Sequence, residues 1–254
     1  HDFERLANGN TLAIHSELLP VEFARRVKGG CGSMDTPMWG EVVREIGQSG
    51  QTLNEWNMWK ALDPETDVIC PLEGRDRWLH QNSLSLTSEG DLLVSFRQID
   101  TVGIVSRETS QFTWKWGPGE ISHQHHPTHL RNGRVLMFDN GPHRGGTTYS
   151  RVIEVDPATG KIEWEYKGEP PISFYSFHIS GAERLPNGNT LITEGAPGRI
   201  IEVTPTGEIV WEFCNPHRIP GAPEGSGGPN SVFRAHRYGY DHPALAGKFL
   251  APRA

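Results

Sequence analysis

Histidine recurs at fixed distances from a repeated turn, and this spacing is the first sign of chemistry in the chain. Nine positions before the turns at Glu89, Asn132 and Asn187 stand His80, His123 and His178. Seven positions before the four turns, counting the first at Asn8, stand His1, Asn82, His125 and Ser180. Residues two apart on a strand share a face, so these side chains are expected on one side of each repeat's first strand, with several imidazoles converging. His126 adjoins them in sequence. A neutral imidazole is both a nucleophile and a proton carrier. Arg97, in Ser95-Phe-Arg97, and Arg144, in Phe138-Asp-Asn-Gly-Pro-His-Arg144, each follow the second strand of their repeat. A guanidinium beside imidazoles suits an oxyanion such as sulfate or phosphate, because its fork makes paired, charge-assisted hydrogen bonds. His129, His143, His217 and His242 lie outside the spacing and read as structural or surface residues.

The elements that must position these rings repeat as well. Leu6-Ala-Asn-Gly-Asn-Thr-Leu12, Thr87-Ser-Glu-Gly-Asp-Leu-Leu93, Leu130-Arg-Asn-Gly-Arg-Val-Leu136 and Leu185-Pro-Asn-Gly-Asn-Thr-Leu191 are four copies of one turn. Each leads through an alternating segment to a tryptophan-bearing strand at Trp56, Trp114, Trp164 or Trp211, spaced by 58, 50 and 47 residues. That period fits a four-stranded propeller blade of about 40–50 residues. The Asn-Gly pairs are expected to form type I′ hairpins, which need positive φ at both central residues. Period-2 alternation in Arg151–Val155 and Ile162–Tyr166 predicts strands with one side against a neighbouring blade. The best helical candidate, Leu18 to Val27, carries a proline within an insertion.

The fold class expected is therefore all-β: one β-propeller domain over residues 1–254, with four recognisable blades of four antiparallel strands. Residues 215–254 are a Gly/Pro-rich closing segment in which Asn230–Tyr238 is expected to form one strand. An open arc of four blades leaves apolar faces uncovered at both ends. Either a compact four-blade ring closes, or blades are missing. Because His1 falls on an innermost strand, the expectation is a chain incomplete at its N-terminus, or a homo-oligomer or partner that completes the ring. Lys and Arg number 24 against 31 Asp and Glu, a net charge of −7, which gives no electrostatic footprint for nucleic acid. No run approaches the roughly 20 apolar residues of a membrane span. Three cysteines form no C-x-x-C pair; Cys31 and Cys70 pairing in an oxidising compartment, with Cys214 left over, and three buried thiols are the two alternatives.

The runs Trp78-Leu-His-Gln-Asn-Ser83, Ser95-Phe-Arg97, Trp116-Gly-Pro118, Gln124-His-His-Pro127, Phe138-Asp-Asn-Gly141, Ser150-Arg-Val-Ile-Glu154 and Ser180–Ile192 together resemble the bacterial, PAPS-independent arylsulfotransferase propeller family. The resemblance extends from His1 to about Tyr238. It implies a six-bladed pattern and transfer of a sulfuryl group from a phenolic sulfate ester to a phenol through a sulfohistidine. It also implies an active-site ring of His80, His125 and His178, with Asn82 and Arg144 assisting. By order along the chain His178 is the expected carrier. Arg97, His123 and His126 join Asn82 as substrate-binding candidates, and a further histidine poised near neutral pH is expected to serve as acid and base. The scheme needs no nucleotide, cofactor or metal, takes small phenolic substrates, and implies a periplasmic or secreted location.

Two other classes remain open on the residues alone. Three or four imidazoles at a hub are also a ligand set for Fe(II), Zn or Cu, and histidine–arginine lyase or hydrolase chemistry belongs to the same alternative. A propeller that only binds or scaffolds is the third class, since fold does not fix function. There is no G-x-S-x-G, G-x-x-x-x-G-K-[ST] or H-E-x-x-H motif, which leaves histidine as the main candidate for chemistry.

Overall fold

A computed structural model describes residues 1–220, 228–239 and 241–248. The repeats fold as expected, each into a four-stranded antiparallel meander. In the first blade β1 (Phe3–Arg5) and β2 (Thr11–Leu18) are followed by an excursion carrying the short helix α1 (Val21–Ala24) and β3 (Gly29–Cys31), then by β4 (Trp39–Ile46) and β5 (Thr52–Asn57). A second excursion contributes β6 (Ile69–Gly74), which pairs in parallel with β3. The second blade is β7 (Gln81–Leu86), β8 (Leu92–Phe96), β9 (Thr101–Val105) and β10 (Phe112–Trp116). The third is β11 (His125–His129), β12 (Val135–Asp139), β13 (Arg151–Val155) and β14 (Ile162–Lys167), and the fourth β15 (Gly181–Arg184), β16 (Thr190–Glu194), β17 (Arg199–Val203) and β18 (Ile209–Cys214). The innermost strands stand side by side in the order β1, β7, β11, β15. No helix among the described residues is long and apolar enough to cross a membrane.

The tight turns differ in type from the expected hairpin. Gly9, Gly90, Gly133 and Gly188 have φ between 82° and 90°, but the residues before them are not left-handed. A type I′ turn needs both. Each glycine N–H instead closes a β-turn onto the carbonyl three residues back, as in Gly9 to Leu6 at 2.9 Å. The asparagine side chain caps the N–H two residues on, at 3.0 Å for Asn8 and Asn10, 3.1 Å for Asn132 and Arg134, and 3.0 Å for Asn187 and Asn189. This local side-chain bond holds the asparagine in an ordinary turn conformation.

The middle strands of the second and third blades are buried on both faces, because each of these blades lies between two neighbours. All residues of β8, β12, β13 and β16 are buried, whereas every residue of β18 is exposed. Alternation thus survives only in outer strands such as β10. Glutamates buried by this packing are held by a repeated device. Glu45 accepts from Asn10, Asn54 and Arg107 of the next blade. Glu154 accepts from Asn132, Arg134 and Arg184 of the next blade. Glu202 accepts from Asn187 and Asn189 and pairs with Arg237 of the closing segment. The same three arginines lie over Trp56, Trp164 and Trp211, 4.9–5.1 Å from the ring centres. Arg237 therefore docks the closing segment to the fourth blade as an arginine of a following blade would. Truncating Arg184→Ala leaves the buried Glu154 carboxylate short of a partner, and we expect a loss of about 1–3 kcal/mol in urea unfolding. Arg131→Ala, on an exposed turn of the same sheet, should stay within about 0.5 kcal/mol.

Two expectations are corrected. Asn230–Tyr238 makes no strand: Val232 and Ser180 N–H groups bond the Gly195 and Phe233 carbonyls, but the next contact, from Ala235 N–H, goes to the Thr193 hydroxyl, so no ladder propagates. Part of the 215–254 segment lies outside the described residues. The three cysteines are free thiols, with Cys70 buried and Cys31 and Cys214 exposed, so neither the Cys31–Cys70 disulfide nor a set of three buried thiols is formed.

Candidate functional site

The inner strands begin with backbone that few residues tolerate. His80 (φ 48°), His123 (φ 53°), His126 (φ 53°), Ile179 (φ 48°) and Ser180 (φ 89°) are all left-handed, at a cost of about 1–2 kcal/mol each for non-glycine residues. The surroundings hold them there. The His80 carbonyl accepts from Arg97 N–H at 3.2 Å, His123 N–H donates to Asp100 Oδ1 at 2.8 Å, and the hydroxyls of Ser176 and Ser180 both donate to the His178 carbonyl. The bends fall where the sequence register places the histidines, at or just before the start of β7, β11 and β15.

Arg97 is the charge at the centre. Its guanidinium acts on His80, His123, His125 and His178 alike, drawing the affinity of all four rings for protons down. Burial is the larger cause in every case. It pushes His80 to about 4 and His125 to about 3, and lowers His123 and His178 in the same direction. The four imidazoles are thus biased toward the neutral form at pH 7, and His80 and His125 lie well below the near-neutral value expected of an acid–base histidine. Arg97 itself pairs with Glu73 through Nη1 at 2.8 Å.

His125 is the most strictly oriented ring. Asn140 Nδ2 donates to the carbonyls of Ser176 (2.7 Å) and Ile179 (3.0 Å), which fixes the amide and turns its Oδ1 to His125 Nδ1 at 2.8 Å. The His123 carbonyl meets the same nitrogen at 3.0 Å. Both partners are acceptors, so Nδ1 carries the proton and Nε2 carries the lone pair. Among the described residues Nε2 has no hydrogen-bond partner and is not sealed from solvent. The ring is therefore neutral, with its free lone pair on Nε2.

The remaining candidates separate. His80 packs edge-on against His1, 5.3 Å between centres, and His178 stacks on Phe177 at 4.3 Å. Asn82 serves packing, its Nδ2 donating to the Gln124 carbonyl across to β11 at 2.7 Å. Arg144 turns away to Asp139 at 2.6 Å and lies over Tyr149, so the guanidinium among the rings is that of Arg97. His126 lines a separate axial cavity of about 320 Å³ with Phe3, Glu183, Arg234 and His236. Arg234 on its wall pairs with Asp2 at 2.9 Å.

Asn140, Asp100 and Glu73 were not singled out by sequence. Asn140 stands in Phe138-Asp-Asn-Gly141, where it reads as a turn residue; the signal available was its place on the strand end opposite His125. Glu41 was also missed. It is 1% exposed, its nearest cation is Arg77 at 3.6 Å, and neither carboxylate oxygen has a well-formed hydrogen bond. The N–H groups of His80 and Gln81 and the charge of Arg77 favour the carboxylate, but burial outweighs them and pushes Glu41 up to about 7 from 4.5. The folded state therefore binds a proton that the unfolded chain has released, and stability falls as pH rises from about 4.5 through 7. In Glu41→Gln this loss, up to about 3 kcal/mol, should vanish from urea unfolding measured between pH 5 and 8.

The fold is an all-β propeller of four-stranded blades whose innermost strands stand side by side. The family model for arylsulfotransferase (ASST) matches residues 40–216, and the chain belongs to that family. Among solved structures, a protein of unknown function from Bacteroides caccae is similar at 14% identity and a TM-score of 0.52, over 83% of this chain and 65% of that one. A catalytically inactive virginiamycin B lyase from Staphylococcus aureus, solved with quinupristin, is similar at 13% identity and a TM-score of 0.48, over 84% of this chain and 55% of that one. The chain thus spans less than two thirds of the length of either. No curated protein matches the sequence.

Proposed function

We propose that the chain moves a sulfuryl group from a phenolic sulfate ester to a phenol, with His125 as the covalent carrier. The observation that carries this reading is the fixed tautomer of His125, which leaves the lone pair on Nε2 in a ring that feels the positive charge of Arg97. Nε2 attacks sulfur in line; the N–S bond forms, the sulfur–oxygen bond to the aryl group breaks, and its electron pair leaves on the phenolate. The sulfurylated ring is cationic, so its Nδ1–H bonds to Asn140 and the His123 carbonyl become charge-assisted and strengthen. Interactions that strengthen along the reaction accelerate it. Arg97 meets the negative charge on the sulfuryl and phenolate oxygens. In the second half, an acceptor phenol loses its proton to solvent and attacks the same sulfur, and the N–S pair returns to Nε2. His80, His123 and His178, lowered in proton affinity by the same Arg97 charge, supply further neutral donors and acceptors, and His178, favoured by order along the chain, is the rival carrier.

The proposal carries with it small phenolic donors and acceptors, no nucleotide donor and a periplasmic or secreted location. It also includes a further copy or partner against β18, where Ile209, Val210, Trp211 and Phe213 are exposed. Incubation with 4-nitrophenyl sulfate tests it. Nitrophenolate release that rises with added phenol, with the phenol recovered as its sulfate, is the expected result; no release with any phenol acceptor would count against sulfuryl transfer.

A further inference from the structure

On the flank of the hub lies a group of donors of which the sulfuryl reading uses only His123. Cys70 comes from β6 in the excursion outside the repeats, His123 from the bend before β11, and His143 from the loop after β12. One donor atom of each lies within 4.8 Å of the other two. The Cys70 and His123 side chains are buried, at 5% and 2% exposure, and the two imidazole rings meet edge to face at 4.9 Å. His123 Nε2 is buried with no hydrogen-bond partner in the chain. An orphaned buried nitrogen is costly unless something occupies it.

The surroundings are those of a ligand set. His143 Nε2 meets Asp100 Oδ2 at 3.0 Å, and His123 Nδ1 faces Glu73 Oε1 at 3.7 Å. A carboxylate on one ring nitrogen orients the other toward a metal and raises its basicity. Asp100 also accepts the His123 backbone N–H at 2.8 Å, so one carboxylate sets both histidines. A cavity of about 210 Å³ lined by Ser122, His143 and Arg144 lies on the His143 side of the group.

We propose that Cys70, His123 and His143 bind a divalent metal ion of the zinc class. Thiolate and imidazole donors select zinc or cobalt over magnesium and calcium, which take oxygen ligands. Three protein ligands leave the fourth tetrahedral position to water or a ligand oxygen. At metal–ligand lengths of about 2.0–2.3 Å the donors close in by a side-chain rotation of His143, the most exposed of the three. On binding, the Cys70 thiol releases its proton to solvent as the metal–sulfur bond forms. Arg97 opposes the ion, while Glu73 and Asp100 favour it. The site requires neither sulfuryl transfer nor His125, though it shares His123 with the hub.

Cobalt titration tests the site without an activity assay. In protein carrying Cys31→Ser and Cys214→Ser, Cys70 is the sole thiol. We expect one equivalent of Co²⁺ to bind with a thiolate-to-cobalt charge-transfer band and tetrahedral visible absorption, and Zn²⁺ to displace it. Adding Cys70→Ser removes the band, and His143→Ala, a change in an exposed loop, weakens binding at least about 10-fold. Absence of the band in the parent at excess Co²⁺, its persistence after Cys70→Ser, or unchanged affinity in His143→Ala overturns the proposal.

Discussion

His125→Ala should lower the turnover of 4-nitrophenyl sulfate by at least about 10³-fold, in protein that keeps its strand circular dichroism. Removing a covalent nucleophile takes away the step that divides one hard displacement into two easier ones, and the remaining rings are not placed to replace it. His178 has no fixed tautomer among the described contacts, and His80 is held against His1. The substitution also strands Asn140 Oδ1, which costs about 1–3 kcal/mol of stability. Activity and unfolding must therefore be measured together. A loss of turnover far beyond the loss of folded fraction assigns the effect to chemistry. Equal rates for His125→Ala and the parent, with His178→Ala inactive, would move the carrier to the fourth blade.

Arg97→Ala should lower kcat/KM by about 10²–10³-fold, the usual cost of removing one preorganised donor from a developing oxyanion. Arg97→Lys keeps the charge but not the fork, and should recover only part of the loss. The pH profile gives an independent readout. Arg97 depresses proton binding at His80, His123, His125 and His178, so without it these rings protonate at higher pH. The acid limb of the rate profile, set by protonation of the nucleophile, should move upward toward neutrality in Arg97→Ala and stay in place in Arg97→Lys. Arg144→Ala, which removes a partner of Asp139 instead, should leave that limb unmoved.

The blades were legible because one turn motif and one tryptophan recur with the period of a propeller, and the histidines were legible because they sit in that register. What the register does not carry is the state of each side chain. Arg97 and Arg144 occupy matching places after a second strand, but Asp139 lies five residues before Arg144 and captures it, while Glu73 holds Arg97 at the hub. His125 begins an inner strand and His178 lies just before one, yet only His125 has its tautomer set, by the Asn140 amide that two carbonyls of the segment before β15 hold in place. Cys70 reaches the hub through a parallel pairing of β3 with β6 outside the repeats, where spacing gives no guide. His143 reads as a structural or surface residue and is exposed, and its meeting with Asp100 at 3.0 Å is a contact that spacing does not show.

Trapping the covalent state is the most direct test. The protein is mixed with excess 4-nitrophenyl sulfate without acceptor, quenched at alkaline pH and digested, and the peptides are weighed. One SO₃ on the peptide containing His125, appearing in step with a stoichiometric burst of nitrophenolate and discharged by added phenol, is the predicted result. A burst with the SO₃ on the His178 peptide, or turnover with no histidine ever labelled, would contradict it.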